Sequence, residues 1–417
     1  MLFVGKRRVQ VAEDLADLTT IDHEAECDPV EAEMTSAGVN HIWQTVEHLY
    51  RTGIHPALTL VVRRRGKIVI KRSLGCVSGN MAGHAGPIHV LEPDAPQCLF
   101  SASKAVTALL VFKLIEQGKL SLDDRVTDYL PEFGQGGKGH ITMLDLMSHR
   151  AGVPFIPKEH RDPDLLRDYD RVVRLICEAP SVDNGKRVQS YHALTAGFLI
   201  GEIIRRVGDI ELNEALHKWL AKPLGCDYLS YGIAAEHRDK VPLNVATGQP
   251  LLWPFNRYME RIVALPFEDA ITASNEDAFM SSIVPAGNMY ASADDLGRVF
   301  EMLLNGGVWE GQRVLSQASV AAATRPVSRT KIDRTIMLPM RYSPAFMMGE
   351  KPVGLYGPNC GQAFGHLGFL NLLGWADPQR DISATFLNTG KSMAITGVAK
   401  LYRVLTAINK ECVPVVA

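Results

Sequence analysis

The stretch Gln97-Cys98-Leu99-Phe100-Ser101-Ala102-Ser103-Lys104, followed at once by the apolar run Ala105 to Leu114, constrains this chain more than any other. Its pattern predicts an extended segment that turns into a buried helix, with Ser101 at the junction and Lys104 one helical turn further on. Positions i and i+3 share a helix face, so a hydroxyl and an amine at this spacing meet at the helix N-terminus. The first backbone N–H groups are unpaired there and the helix dipole is positive. A serine so placed has a base beside it and donors ready for the oxyanion that its attack creates.

The spacing alone is not decisive, because the chain carries a second copy in Ser328-Arg329-Thr330-Lys331. That copy follows Pro326, sits among Arg325, Arg329 and Arg334, and opens no apolar helix, so it reads as a solvated loop. Context separates the two.

A chain of 417 residues can bury a substantial core in one large unit or two domains. A net charge of −2 provides no electrostatic footprint for nucleic acid or anionic lipid, and small neutral or weakly charged substrates fit better. Cysteines at 27, 76, 98, 177, 226, 360 and 412 are odd in number and never form Cys-x-x-Cys, as expected of reduced thiols in a cytoplasmic protein. The N-terminus reaches Lys6-Arg7-Arg8 with no long apolar stretch behind it, so neither a secretory signal nor a membrane anchor is expected. None of the thirteen histidines has His-Glu-x-x-His or comparable spacing, and no metal or other cofactor is expected. His23-Glu24-Ala25-Glu26-Cys27 reads instead as part of an acidic leader.

Residues 1–35 are poorly periodic and read as an N-terminal extension outside the core. From Ser36 the pattern is helical, with Val39, Ile42, Val46 and Leu49 on one face until Gly53. Two strands, Ala57 to Arg63 and Lys67 to Leu74, form a hairpin through Arg65-Gly66. The Gly-, His- and Pro-rich connection from Gly75 to Gln97 is placed to wall a site. Thr142-Met143-Leu144-Asp145 starts a capped helix ending at Ala151-Gly152, and helices follow near 164–178, 192–206 and 210–221. Residues 231–284 have no readable period, and Trp253, Phe255, Tyr258 and Phe267 there divide between core and pocket wall. Ser292-Ala293-Asp294-Asp295 caps a helix that ends at Gly306-Gly307. Phe369 to Trp375 and Ile382 to Leu387 read as antiparallel strands, and a last amphipathic helix runs from Ile395 to Ile408. The expected fold class is α/β (α+β): an antiparallel sheet pairing N- and C-terminal strands, flanked by helices, with an inserted mainly helical domain. Residues 36–138 and 285–417 would form the sheet-plus-helices domain and 139–284 the helical one with pocket-lining loops.

With these segments in order, the chain resembles the serine β-lactamase and penicillin-binding-protein superfamily, and most closely its class C β-lactamase-like branch with the family VIII carboxylesterases. The resemblance covers roughly residues 36 to 410. It rests on Phe100-Ser101-Ala102-Ser103-Lys104, Gly118-Lys119-Leu120-Ser121-Leu122-Asp123-Asp124-Arg125-Val126 and Leu146-Met147-Ser148-His149-Arg150-Ala151-Gly152. It extends through Tyr191-His192-Ala193 with Gly197-Phe198-Leu199-Ile200-Gly201-Glu202, then Ala286-Gly287-Asn288-Met289-Tyr290-Ala291-Ser292 and Gly365-His366-Leu367-Gly368.

The resemblance implies a β-lactamase/transpeptidase-like fold, with Ser101 as the acylated nucleophile and Lys104 as its charged or proton-shuttling neighbour. Tyr191 would be the general base, its phenol drawn from about 10 toward working pH by a cationic lysine. His366-Leu367-Gly368 takes the place of the family's Lys-Thr-Gly, and the N–H groups of Ser101 and Phe369 would form the oxyanion hole. His366, Gly368, His192 and Trp253 are the expected substrate-binding residues. Two departures are informative. His366 and Leu367 replace a pair that holds a substrate carboxylate, and Ala193 replaces an asparagine that bonds an amide. Both favour an ester without a fixed anionic handle, so the implied activity is a serine carboxylesterase for short or medium acyl esters.

The implied partner is a small-molecule ester, with no nucleic acid and no membrane; oligomeric state is left open, a homodimer included. Acyl transfer to an alcohol, weak β-lactamase or D-amino-acid amidase activity, and a non-catalytic binding protein are the competing functions. Gly390-Lys391-Ser392-Met393-Ala394 ends in alanine where an α/β-hydrolase elbow needs glycine, and Thr385 stands where a phosphate-binding loop needs its first glycine.

Overall fold

Apolar residues and threonine make up Ala57–Leu60 and the valines that follow, and every residue of Ala57–Arg64 is buried. Leu58, Leu60 and Val62 join one apolar cluster, whereas Val61 joins another and Arg63 meets Asp294. A strand buried on both faces needs a covering layer on each side, and that three-layer arrangement organises the molecule. The computed structural model describes residues 7–81, 87–160 and 165–415.

In chain order the strands of the two larger sheets are β1 (Thr19–Ile21), β2 (Ala57–Arg64), β3 (Lys67–Ser78), β4 (His89–Val90), β5 (Gln97–Cys98), β6 (Ser230–Tyr231), β7 (Met289–Ala291), β8 (Met347–Met348), β9 (Phe364–Leu367), β10 (Leu373–Asp377) and β11 (Ile382–Asn388). The main sheet runs β1-β3-β2-β11-β10-β9-β8 with β4 beside β3, all antiparallel. Chain ends therefore meet at its centre, Leu58 opposite Asn388 and Arg64 opposite Ile382. The β2–β3 hairpin closes through Arg65 and Gly66, both at positive φ, as a tight two-residue turn requires. The smaller sheet, β5-β7-β6, fixes the strand that delivers Ser101.

The principal helices are α1 (Ser36–Tyr50), α2 (Ser103–Glu116), α3 (Met143–Met147), α4 (Tyr169–Glu178), α5 (Thr195–Gly208), α6 (Phe255–Val263), α7 (Phe267–Ala273), α8 (Asp277–Met280), α9 (Ala293–Leu304) and α10 (Ile395–Glu411). The first and last pack together on one sheet face, as the chain order predicted. On the opposite face α9 starts from a Ser292/Asp295 capping box and lies against β10, where a Cβ at Gly374 would be 2.6 Å from the Leu296 side chain. No helix among the described residues is long and apolar enough to cross a membrane.

Four expectations change. The acidic leader is not outside the core: Val9, Leu15, Leu18, Ala32 and Met34 are buried, β1 extends the sheet, and Glu26 pairs with Arg72 at 2.7 Å. Its apolar residues are spaced for 3₁₀ turns and one short strand, so no helical period is visible. Helix α3 stops at Met147 because Ser148 ends it and His149 takes φ 61°, turning the chain inward. The predicted strand from Phe369 begins only at Leu373, since Leu370 and Asn371 adopt positive φ in a turn closed by Gly368 N–H donating to Leu372 O at 2.8 Å. Helices expected near 192–206 and 210–221 run instead over 195–208 and from 212, the latter continuing through a π-helical turn at His217–Ala221.

Buried Arg63 and Asp294 tie β2 to α9, and Arg298 adds a second contact to Asp294 at 2.8 Å. Burial alone would raise the Asp294 carboxyl, but the two guanidinium groups outweigh it and hold the carboxyl below its ordinary range. Asp294→Ala leaves the Arg63 charge buried and unpaired, so a loss of about 3–5 kcal/mol is expected in denaturant unfolding. An unchanged midpoint would contradict this.

Candidate active site

Strand β5 ends at Cys98, and Leu99 N–H donates to Met289 O at 2.8 Å, holding the chain to β7 up to the residue before Phe100. Phe100 then takes φ 44°, a conformation uncommon for a bulky side chain. Its ring is held between Phe369, 5.4 Å away between centroids, and the Lys391 amine, 4.8 Å from the ring centre. Ser101 sits in the resulting 3₁₀ turn that leads into α2.

One turn on, Lys104 Nζ lies 3.0 Å from Ser101 Oγ and 2.9 Å from Ala286 O. Lys104 is buried, and burial holds its amine well below the ordinary lysine range. Tyr191 is buried too, with Lys104 Nζ 5.1 Å from the centre of its ring. The Tyr191 hydroxyl is near enough to Ser101 to favour its anion, yet it forms no hydrogen bond of good geometry. Burial dominates and pushes the phenol upward, with Asp333 adding to the rise. The expectation that a cationic lysine lowers the phenol is therefore reversed: desolvation favours a neutral amine beside a neutral phenol.

Asp333 and His149 position Tyr191. Asp333 accepts from the Tyr191 N–H at 2.9 Å and the Tyr342 hydroxyl at 3.1 Å, and also from the Thr335 and Ile336 N–H groups. His149 packs edge-on against Tyr191 and Tyr342, at 4.7 and 4.8 Å between centroids. Asp333 lies in the region read as a solvated loop, although its bond to an N–H two residues on is a recognisable Asx turn.

Four expected substrate-binding residues divide. Gly368 lines the cavity at Ser101, and a Cβ there would stand 2.2 Å from Leu372 Cδ1 and 2.6 Å from Leu99 O. His366 instead lines a small cavity of about 30 Å³ behind Lys104, with Nδ1 2.7 Å from Leu367 O. Burial first and Lys104 second push it down to about 3, so it offers no cation to a substrate. His192 is fully buried away from the substrate cavity; its Nε2 accepts from the Val153 N–H at 3.2 Å, a structural role. Trp253 is 79% exposed ahead of α6 and lines no cavity wall, because α6 turns Tyr258, Met259 and Ile262 inward instead. Within the Gly75–Gln97 connection, residues 82–86 lie outside the described residues, and the described remainder does not line the cavity.

The cavity that opens on Ser101 has a volume of about 320 Å³, and α6, α7, α8 and the turn at Gly368–Leu370 form one side of its wall. The Ser101 and Phe369 N–H groups donate to no acceptor among the described residues. Gly368→Ala is expected to move the β9 end away from the nucleophile, lowering kcat/KM by about 100-fold and stability by about 1–3 kcal/mol. Wild-type kinetics in that variant would contradict the packing argument.

A family model described as Beta-lactamase matches residues 43–406. Esterase/beta-lactamase LipL of Mycobacterium tuberculosis is 30% identical over 301 residues, covering 70% of this chain and 68% of LipL. Esterase EstB of Burkholderia gladioli is 27% identical over 266 residues, covering 58% of this chain and 64% of EstB. Among solved structures, a penicillin-binding protein homolog from Caulobacter crescentus superposes with a TM-score of 0.72 at 26% identity, over 89% of this chain and 96% of its own. A family VIII carboxylesterase has the same fold, with a TM-score of 0.77 at 24% identity over 91% and 99% of the two chains.

Proposed function

The chain belongs to the beta-lactamase family, and we propose that it is a serine carboxylesterase working through an acyl-enzyme on Ser101. The observation that carries this reading is the 3.0 Å contact between Ser101 Oγ and a buried Lys104 amine at the edge of an apolar cavity. The relatives named as esterases support the same class of reaction.

In its neutral form, which burial favours, the Lys104 amine accepts the seryl proton as Oγ attacks the ester carbonyl. Charge develops on the carbonyl oxygen, where the unpaired N–H groups of Ser101 and Phe369 are available to it; such a donor is worth about 3–4 kcal/mol. Collapse expels the alkoxide, which takes the phenolic proton of Tyr191. Lys104, now an ammonium, returns a proton to the phenol. Water then enters in place of the alcohol: it gives a proton to the neutral Lys104 amine and attacks the acyl carbon, and the Lys104 ammonium returns that proton to Oγ as the acyl–Oγ bond breaks, releasing the acid and Ser101. Tyr191 thus acts first as an acid, since its burial favours the protonated phenol.

An ester is favoured over a β-lactam or an amide by what surrounds Ser101. His366 is neutral and turned behind the site, Leu367 has no hydroxyl, and Ala193 cannot bond an amide. Arg167 and Glu276 at the cavity wall lie 3.9 Å from each other, so their charges offset. Steady-state release of p-nitrophenol from p-nitrophenyl butyrate tests the reading. Ser101→Ala is expected to lower kcat/KM at least about 1,000-fold while remaining folded; equal turnover by both proteins would contradict it.

A further inference from the structure

The walls of the cavity at Ser101 say more about the substrate than the catalytic side chains do. Its depth is lined by carbon: Phe100, Met259, Ile262, Phe279, Met347 and Phe369 face it together with small alanines of α7 and α8. The polar side chains lining it are Ser101, Tyr191, Tyr258, whose hydroxyl is taken up by Thr335 O, Ser282 and the Arg167–Glu276 pair. A dry cavity of about 150 Å³ admits benzene, six carbons. At about 320 Å³ this one is large enough for a chain on the order of ten carbons.

The mouth is apolar as well. Leu338 and Met393 line the cavity and are still 50% and 38% exposed. Next to them Met337 and Ile395 are 63% and 84% exposed. The 333–338 turn is tied to α6 by the Tyr258 hydroxyl donating to Thr335 O at 2.7 Å. A Cβ at Gly248 would lie 2.7 Å from Ser392 Oγ, so the chain entering α6 runs beside the start of α10. Exposed Leu252 and Trp253 belong to that entering segment, and exposed Phe255 opens α6. Large apolar side chains left in water around a cavity mouth mark a surface that meets an apolar ligand.

We infer that the substrate is an uncharged, poorly water-soluble ester whose acyl chain, on the order of eight to twelve carbons, lies in this cavity. The inference rests on the proposed role of Ser101 and narrows the short or medium esters expected from the chain alone. The acyl half is the part housed, because after the alcohol leaves the acyl chain stays covalently attached to Ser101 while water attacks. A chain filling the cavity keeps the acyl-enzyme dry on every side except that of the incoming water. Chain burial also discriminates by length, since each buried methylene contributes about fourfold to transition-state binding.

The test is kcat/KM for p-nitrophenyl acetate, butyrate, octanoate and decanoate, each below its critical micelle concentration. The expected result is a rise from acetate through octanoate of up to about fourfold per methylene. In parallel, Ala273→Trp, which fills the cavity from α7, is expected to shift the decanoate-to-acetate ratio at least tenfold toward acetate. A wild-type profile that is flat or falls beyond butyrate would overturn the inference, whether or not the variant folds. So would an unchanged ratio in the folded variant. Acetate turnover that depends on Ser101 with no chain-length preference would remove only this inference; absence of Ser101-dependent turnover of every ester would remove the proposed function with it.

Discussion

Lys104→Met is expected to lower kcat/KM for activated esters by about 1,000- to 10,000-fold while the protein stays folded. Methionine keeps the length and apolar stem of lysine, so the substitution removes the proton acceptor and little of the packing. The argument depends on Lys104 being buried at 3.0 Å from Ser101 Oγ, with desolvation holding its amine well below the ordinary range. A neutral amine is the form that can act as base, so wild-type kcat/KM should fall as pH drops through the lowered lysine pKa. Lys104→Arg should be as inactive as Lys104→Met, because a guanidinium remains protonated and cannot take the seryl proton. Substantial activity in either variant would move the base elsewhere, and Tyr191 would be the group to test next.

Acid is expected to unfold this protein early. His55, His149, His192 and His366 are all buried. Burial is the first cause of depression in each, helped by Lys391 at His55 and by Lys104 at the other three. His55 and His366 are pushed down to about 3, His192 to about 4, and His149 well below its ordinary value. In the unfolded chain each titrates near about 6.5. The unfolded state therefore binds more protons between about pH 6.5 and 4, so stability is complete above that window and is lost as pH falls through it. Each histidine contributes about 1.4 kcal/mol per pH unit there. Four acting together remove up to about 6 kcal/mol per unit, against a total stability of about 5–15 kcal/mol for a folded domain. Thermal melting at pH 7, 6 and 5 checks this, with a steep fall in Tm expected below pH 6. A Tm at pH 5 within a few degrees of that at pH 7 would show that these histidines carry protons in the folded protein.

The parts of this account that were readable in advance share one property: a local signal points the same way as the tertiary environment. The β2–β3 hairpin, the Ser292/Asp295 cap of α9 and the amphipathic α10 each combine a hydrophobic period with a turn or cap. Ser101 and Lys104 were legible because the apolar helix that buries Lys104 starts two residues after Ser101. What could not be read depends on contacts between distant segments. His366 and His192 are in the right motifs, but only the packing around Lys104 and Val153 shows them turned away from substrate. Asp333 acts on a tyrosine 142 positions away. The cavity wall from 255 to 280 consists of short helices whose apolar faces meet a pocket rather than a continuous core, so the usual period is broken.

The phenol of Tyr191 shows how spacing and environment can diverge. The chain places an ammonium near it, and in water that would favour a phenolate. In the folded protein the same burial that brings the two together removes the reason for either to be charged. Desolvation then favours the neutral form of both, and the proposed mechanism accordingly gives the role of base to Lys104 and that of acid to Tyr191.

The most direct test is the covalent state of Ser101 during turnover. Wild-type protein mixed briefly with p-nitrophenyl butyrate, quenched in acid and measured by intact mass and peptide mapping, is expected to carry one butyryl group on the peptide containing Ser101. Ser101→Ala should carry none. A butyryl group on any other residue, or an unmodified wild-type protein that still turns over the ester with pre-steady-state kinetics lacking a burst, would contradict the account.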